Sequence, residues 1–142
     1  MKLAIGGDHA SVELKQAIIS KLEAAGHQIK NFGTNSGDSV DYPDFGHPVA
    51  KMVVSKEADL GIVICGSGNG INMTVNKYPE IRSAIAWNEE LAALARQHNN
   101  ANILALPARF ISVEEGLKIV DSFLSAEFEG GRHQRRVEKI SL

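Results

Sequence analysis

Leu60-Gly61-Ile62-Val63-Ile64-Cys65, followed at once by Gly66-Ser67-Gly68-Asn69-Gly70, decides the architecture of this 142-residue chain. An unbroken apolar run of this length, β-branched at its centre, reads as a strand buried on both faces of a parallel sheet. The glycine-rich run ends the strand and opens a short helix to about residue 76. Toward the N-terminus, residues 2–6 form a first strand that ends in the loop Gly7-Asp8-His9. Residues 11–25 carry Leu14, Ile18, Leu22 and Ala25 at the spacing of one buried helical face. Ser11 is placed to cap that helix and Gly26 to end it. Residues 28–32 read as a second strand and 33–40 as a polar loop, with a helix over Pro43–Val54 that tolerates Pro43 in its first turn. Toward the C-terminus, residues 82–86 and 103–106 are strands. Residues 88–98 and 112–125 are helices.

Strands alternating with helices over short connections predict a three-layer α-β-α sandwich around a five-stranded parallel sheet, Rossmann-like and doubly wound. Residues 1–142 form one domain, with the basic segment 130–142 expected as a C-terminal arm after the Gly130-Gly131 break. Apolar residues are 44% of the chain and charged residues 23%, which argues against disorder. Fifteen Lys and Arg against 17 Asp and Glu leave a net charge of −2, so nucleic acid is not an expected partner. No run reaches the roughly 20 apolar residues that span a bilayer, and the start is too polar for a signal peptide. The single cysteine, Cys65, excludes an internal disulfide and fits a reducing cytoplasm.

Open parallel sheets bind ligands beyond the carboxyl ends of their strands. Strand one delivers Asp8 and His9, and strand three delivers Cys65 and the glycine loop. Strand four delivers Trp87 and Asn88, and the helix after it ends in His98-Asn99-Asn100. These groups are expected to gather at one edge of the sheet. Three glycines in residues 66–70 let backbone amides surround an anion, although a tight strand-to-helix turn would use the same residues. The spacing G-x-G-x-G, after the third strand, fits neither the dinucleotide fingerprint nor a Walker loop. A small oxyanion fits better. Amide donors at a helix start favour the thiolate over the thiol, and a thiolate is a base or nucleophile. An inert core cysteine is the alternative for Cys65. A Cys–His–His zinc site lacks any close ligand pair in the sequence, and a Cys–His hydrolase lacks supporting features. His27 and His47 read as ordinary surface residues.

Arg132 and Arg136 stand four apart, so on a helix their guanidinium groups share a face suited to a phosphate monoester. A solvated basic tail is the alternative. Asp41 and Tyr42 are weaker polar candidates.

Four motifs occur in order: Gly7-Asp8-His9-Ala10, Ile64-Cys65-Gly66-Ser67-Gly68-Asn69-Gly70-Ile71, residues 96–102 (RQHNNAN) and residues 130–137 (GGRHQRRV). Together they resemble the type B ribose-5-phosphate isomerases, in the family that also holds the galactose-6-phosphate isomerase subunits. The resemblance covers essentially the whole chain. It departs at Ser11, where the family more commonly has glycine; the added hydroxyl is expected to alter the turn or to lie near the sugar.

The resemblance implies a ribose 5-phosphate to ribulose 5-phosphate aldose–ketose isomerase of the pentose phosphate pathway, cytoplasmic, with no metal or organic cofactor. It implies Cys65 as the base that moves a proton between C2 and C1, because no carboxylate stands in Ile71-Asn72-Met73 to replace it. Ser67 and the amides of Gly66, Gly68, Asn69 and Gly70 would stabilise the enediolate oxygen, and His98 would assist ring opening. Asp8 and Asn99 would hold sugar hydroxyls; His9, Arg132 and Arg136 would hold the phosphate. It further implies a homodimer or tetramer with sites at the subunit interface, and no membrane partner. A six-carbon aldose phosphate as substrate, or a non-catalytic phosphometabolite-binding protein, are the alternatives.

Overall fold

The computed structural model describes residues 1–141. Five strands and six helices follow one another among them: β1 (Lys2–Gly7), α1 (Val12–Ala24), β2 (Gln28–Asn31), α2 (Pro43–Val54), β3 (Leu60–Cys65), α3 (Asn69–Val75), β4 (Ser83–Ile85), α4 (Glu89–Asn99), β5 (Ile103–Pro107), α5 (Val113–Ser125) and α6 (Arg132–Glu138). All strands pair in parallel in the order β2-β1-β3-β5-β4. β3 is central and every one of its residues is buried, as its apolar composition requires.

Alternation along the strands divides the core into two layers. Leu3 and Ile5, Ile62 and Ile64, and Leu104 and Leu106 turn to one face. There they pack with Leu14 and Ile18 of α1, Ala92 and Ala95 of α4, and Ile119 and Phe123 of α5. Ala4, Val63, Cys65, Ile103 and Ala105 turn to the other face, against Val49 and Val53 of α2 and Ile71 and Val75 of α3. The sheet is therefore covered on both sides, and the doubly wound three-layer sandwich is the observed fold. The chain leaves β1 for β2 on one side and crosses to β3 on the other, so the topological switch point lies between β1 and β3.

Local chemistry sets most boundaries. Pro43 occupies the first turn of α2. Gly26 follows α1 with φ +92°, and Asn88 caps α4 by accepting from the Leu91 amide at 2.9 Å. The capping expected of Ser11 is not observed. Ser11 has helical backbone angles, and its hydroxyl donates back to the Asp8 carbonyl at 2.6 Å. A carbonyl in the preceding turn competes for the same short side chain. The hydroxyl is wholly buried and committed to that turn. β4, at three residues, is shorter than its sequence suggests because it is the sheet edge and pairs on one side only.

The 130–141 segment contains α6 and lies against the end of α4: the Glu129 amide donates to the Gln97 carbonyl at 3.0 Å, and His133 is buried there.

Candidate active site

The carboxyl ends of β1 and β3 meet at the switch point. Asp8 leaves β1 with its amide bonded to the Ile64 carbonyl of β3 at 3.2 Å. The residue is 7% exposed, and one carboxylate oxygen accepts from the Ala10 amide at 3.0 Å. Next in the chain, His9 accepts the Val40 amide on Nδ1 at 3.2 Å. That bond leaves Nε2 as the donor of a neutral ring.

Cys65 is a free thiol, 4% exposed, at the last residue of the central strand. Its carbonyl accepts the Ala108 amide at 2.9 Å, and the Gly66 carbonyl accepts the Arg109 amide at 3.0 Å, which ties the loop to the end of β5. Gly68 has φ +79°, and a side chain there would press on the backbone of Leu106 and Pro107. That left-handed residue turns the chain from strand to helix within four positions. Asn72 is the first residue to bond back into α3, to the Gly68 carbonyl, and the Asn69 amide is taken by Ser67 Oγ at 3.2 Å. The amides of Gly70 and Ile71 then point out of the helix start without intrahelical partners. Ser67 is exposed, and its hydroxyl hydrogen is available to an acceptor.

Two side chains frame this loop. The Tyr42 ring lies directly over Gly70, and the Arg109 guanidinium lies over Gly66, where even one added methyl would stand 2.9 Å from its nitrogen. Arg109 is the functional candidate that the sequence reading left out. It follows the carboxyl end of β5, so the same test that picked out Asp8 and Cys65 would have found it. Its guanidinium lies against the glycine loop, where it would add a cation to the amide donors of an anion site.

The other predicted residues lie elsewhere. α4 starts at the carboxyl edge and runs antiparallel to the strands, so its end, carrying His98 and Asn99, reaches the amino edge. The bonds just after it fix this: the Gly61 amide at the start of β3 donates to the Asn102 carbonyl, and the Asn102 amide donates to Arg82 ahead of β4. Eleven helical residues span about 16 Å. The expectation that His98 and Asn99 share one edge with Asp8, His9 and Cys65 is therefore wrong within a single chain. A crossover helix necessarily returns to the strand starts.

At the amino edge the predicted groups do come together. Arg132 and Arg136 lie one turn apart on α6, both exposed. The imidazole of His133 stacks on that of His98, centroids 4.2 Å apart and planes 12° from parallel. Glu129 Oε1 lies 3.7 Å from Nε2 of each ring. Burial first, then the proximity of His98 and Arg132, holds the His133 imidazole below its usual pKa. The loop after α4 is clamped by Arg96, which donates to the Ala101 carbonyl at 2.6 Å, and by Arg82, which donates to the Asn100 carbonyl at 2.9 Å. Of the two histidines outside the clusters, His27 meets the N-terminal amine at 3.0 Å and His47 the Tyr78 hydroxyl at 2.8 Å.

Known proteins share this fold. A protein from Escherichia coli named ribose-5-phosphate isomerase B is 42% identical over 140 residues, covering 99% of this chain and 94% of its own. The solved structure of a Clostridium thermocellum ribose-5-phosphate isomerase B superposes with a TM-score of 0.97 at 50% identity, over 99% of this chain and 95% of that one. The Mycoplasma genitalium ribose-5-phosphate isomerase B, solved with bound ribulose-5-phosphate, superposes at 0.94 with 45% identity, over 98% and 93%. The profile of the ribose/galactose isomerase family matches residues 3–140, and with these relatives it shows that the chain belongs to that family.

Proposed function

We propose that the chain interconverts ribose 5-phosphate and ribulose 5-phosphate by proton transfer through a cis-enediolate. The observation that carries this reading is the placement of a lone thiol, Cys65, at the root of an amide-lined loop at the switch point. A carbon acid next to a carbonyl is weak, so a base achieves little unless the enediolate is stabilised. Here base and oxyanion donors are neighbours in the chain. The Cys65 thiolate takes the C2 proton of the open-chain aldose, and the electron pair moves onto O1. The amides at Gly70 and Ile71, with the Ser67 hydroxyl, hold the oxyanion; a lost donor of this kind typically costs roughly 3–4 kcal/mol of transition-state stabilisation. The thiol returns the proton to C1 while the O2 hydroxyl proton passes to O1, so the C2 carbonyl and the C1 hydroxyl form together. The step is redox-neutral and calls on no cofactor.

The two-edge arrangement requires a second copy. His98, for ring opening, and Asn99, Arg132 and Arg136, for hydroxyl and phosphate binding, stand at the amino edge of one protomer. Asp8, His9, Cys65 and the 66–70 loop stand at the carboxyl edge of the other. Anchoring the non-reacting phosphate places C1 and C2 against the thiol. The functional unit is accordingly a homodimer, or a tetramer of such dimers, acting on a sugar phosphate in the cytoplasm.

The test is formation of ribulose 5-phosphate by the purified protein and by Cys65→Ala, each with and without chelator. Chelator-resistant turnover that falls by roughly 10²–10⁴-fold in the variant, with little change in KM, is the expected result. Equal turnover in the two proteins would remove Cys65 from the chemistry. Turnover of six-carbon aldose phosphates in place of ribose 5-phosphate would move the reaction to a longer sugar.

A further inference from the structure

We propose that His98, Glu129 and His133 form a site for a divalent transition-metal ion, zinc above all, whose occupancy shuts the enzyme off. No motif in the sequence announces it: His98 ends α4, and Glu129 and His133 arrive from the far end of the chain. The fold nevertheless brings one ligand atom from each to within 4.8 Å of the others. Two imidazole nitrogens and a carboxylate oxygen are a set zinc commonly takes, with further positions left to water or substrate.

His133 supplies the independent observation. The residue is 8% exposed, and its Nε2 is buried without a hydrogen-bond partner among the described residues. A buried polar atom left in this way is uncommon and carries a desolvation cost. The nitrogen faces Glu129 Oε1 at 3.7 Å, too far for a hydrogen bond and within reach of a shared ion. The matching 3.7 Å separation from His98 Nε2 makes the carboxylate oxygen the apex of the triad.

Tetrahedral bonds of about 2.0–2.1 Å set neighbouring ligand atoms about 3.3 Å apart. Closing the triad therefore needs only a modest contraction. Glu129 and His98 are placed to supply it, with side chains 52% and 38% exposed. The stacked rings must turn so that their lone pairs converge, and His98, the more exposed of the two, is the one that turns.

The consequence for activity rests on the reading of His98 as the ring-opening group. An imidazole bonded to zinc through Nε2 cannot exchange protons there. Zinc is then a reversible inhibitor and plays no part in the chemistry.

The experiment titrates zinc chloride into the intact protein in a non-chelating buffer, with competition by a chromophoric zinc chelator as readout. Isomerase activity is followed in parallel. One equivalent per chain, with micromolar or tighter affinity, is expected. Affinity should fall at least tenfold in both His133→Asn and Glu129→Gln, and remain in Cys65→Ser. The Glu129 side chain is half exposed, so its variant folds even if the buried histidine variant does not. Inhibition should follow the same midpoint and reverse with excess chelator. Absence of saturable binding up to about 100 µM, or binding lost in Cys65→Ser and kept in Glu129→Gln, would overturn the site. Zinc binding at the triad in a protein that turns over no sugar phosphate would keep the site and sink the isomerase reading instead.

Discussion

Lys15 shows how much a single residue can say. It lies on α1 among the largest fully buried side chains, yet no carboxylate among the described residues pairs with it. Its amino group donates to the side-chain oxygens of Asn31 at 3.1 Å and Asn35 at 2.8 Å, and burial lowers its pKa. Both acceptors have second donors: Asn31 Oδ1 also receives the Gly33 amide, and Asn35 Oδ1 also receives Asn31 Nδ2. Removing the amino group therefore orphans neither oxygen and ends the burial of a cation held only by neutral groups. Lys15→Met is expected to keep stability within about 1.5 kcal/mol of the parent. Lys15→Ala, which also empties the space of the stem, is expected to lose roughly 2–5 kcal/mol. Urea denaturation of the two variants decides this; equal losses would mean that the charge itself is structurally required. Ser11 carries the opposite lesson. Its hydroxyl is legible in the sequence as a cap or as a sugar contact, and the structure turns it inward to the Asp8 carbonyl. Several acceptors lie within reach of so short a side chain, and spacing alone does not rank them.

Among the elements, α5 has the fullest start. Ser112 Oγ accepts the Glu115 amide at 3.0 Å, and Glu115 Oε1 accepts the Ser112 amide at 3.0 Å, a reciprocal capping box. Hydrogen bonds from Ser112 are the main cause holding the Glu115 carboxyl below its usual pKa of 4.5. A depressed carboxyl adds stability that is present above about pH 4.5 and is lost as the pH falls through the folded-state value. Ser112→Ala should lower the midpoint of thermal unfolding by roughly 3–6 °C at neutral pH. The gap between variant and parent should shrink as the pH is taken toward 3. A gap that stayed constant down to pH 3 would show that the carboxylate takes no part in the cap. The elements were also where sequence reading succeeded best. Alternating apolar runs and amphipathic stretches locate all five strands and the helices α1 to α5, because burial on two faces or on one leaves distinct periods; α6 falls in the segment read as an arm, which has too few apolar residues to show a period. Element ends were less legible: β4 stops at Ile85 since an edge strand with one partner has less pairing to extend it.

At the scale of the whole molecule, the direction of α4 determines what one chain can do. The sequence offers candidate site residues by type and motif, yet it does not state to which edge each is delivered. That follows from the antiparallel return of every crossover helix, and it divides the candidate site into two halves about one sheet length apart. Under the proposed function Cys65 and His98 would act together only across two copies, which makes them separable by mixing. Cys65→Ala retains an intact amino edge, and His98→Asn retains an intact carboxyl edge. Each variant alone is expected to be nearly inactive. When the two are mixed and allowed to exchange subunits, half of the dimers become mixed. Each mixed dimer holds one site with both residues intact and one with neither. Turnover should therefore rise to about one quarter of the parent's per chain, in step with the exchange rate followed by light scattering or a fluorescent label. A covalently linked pair of the two variants should reach about half. If the mixture stays at the level of the separate variants while labelled subunits demonstrably exchange, then Cys65 and His98 do not meet across the interface. The carboxyl edge, with Arg109 over its glycine loop, would then have to bind the phosphate alone.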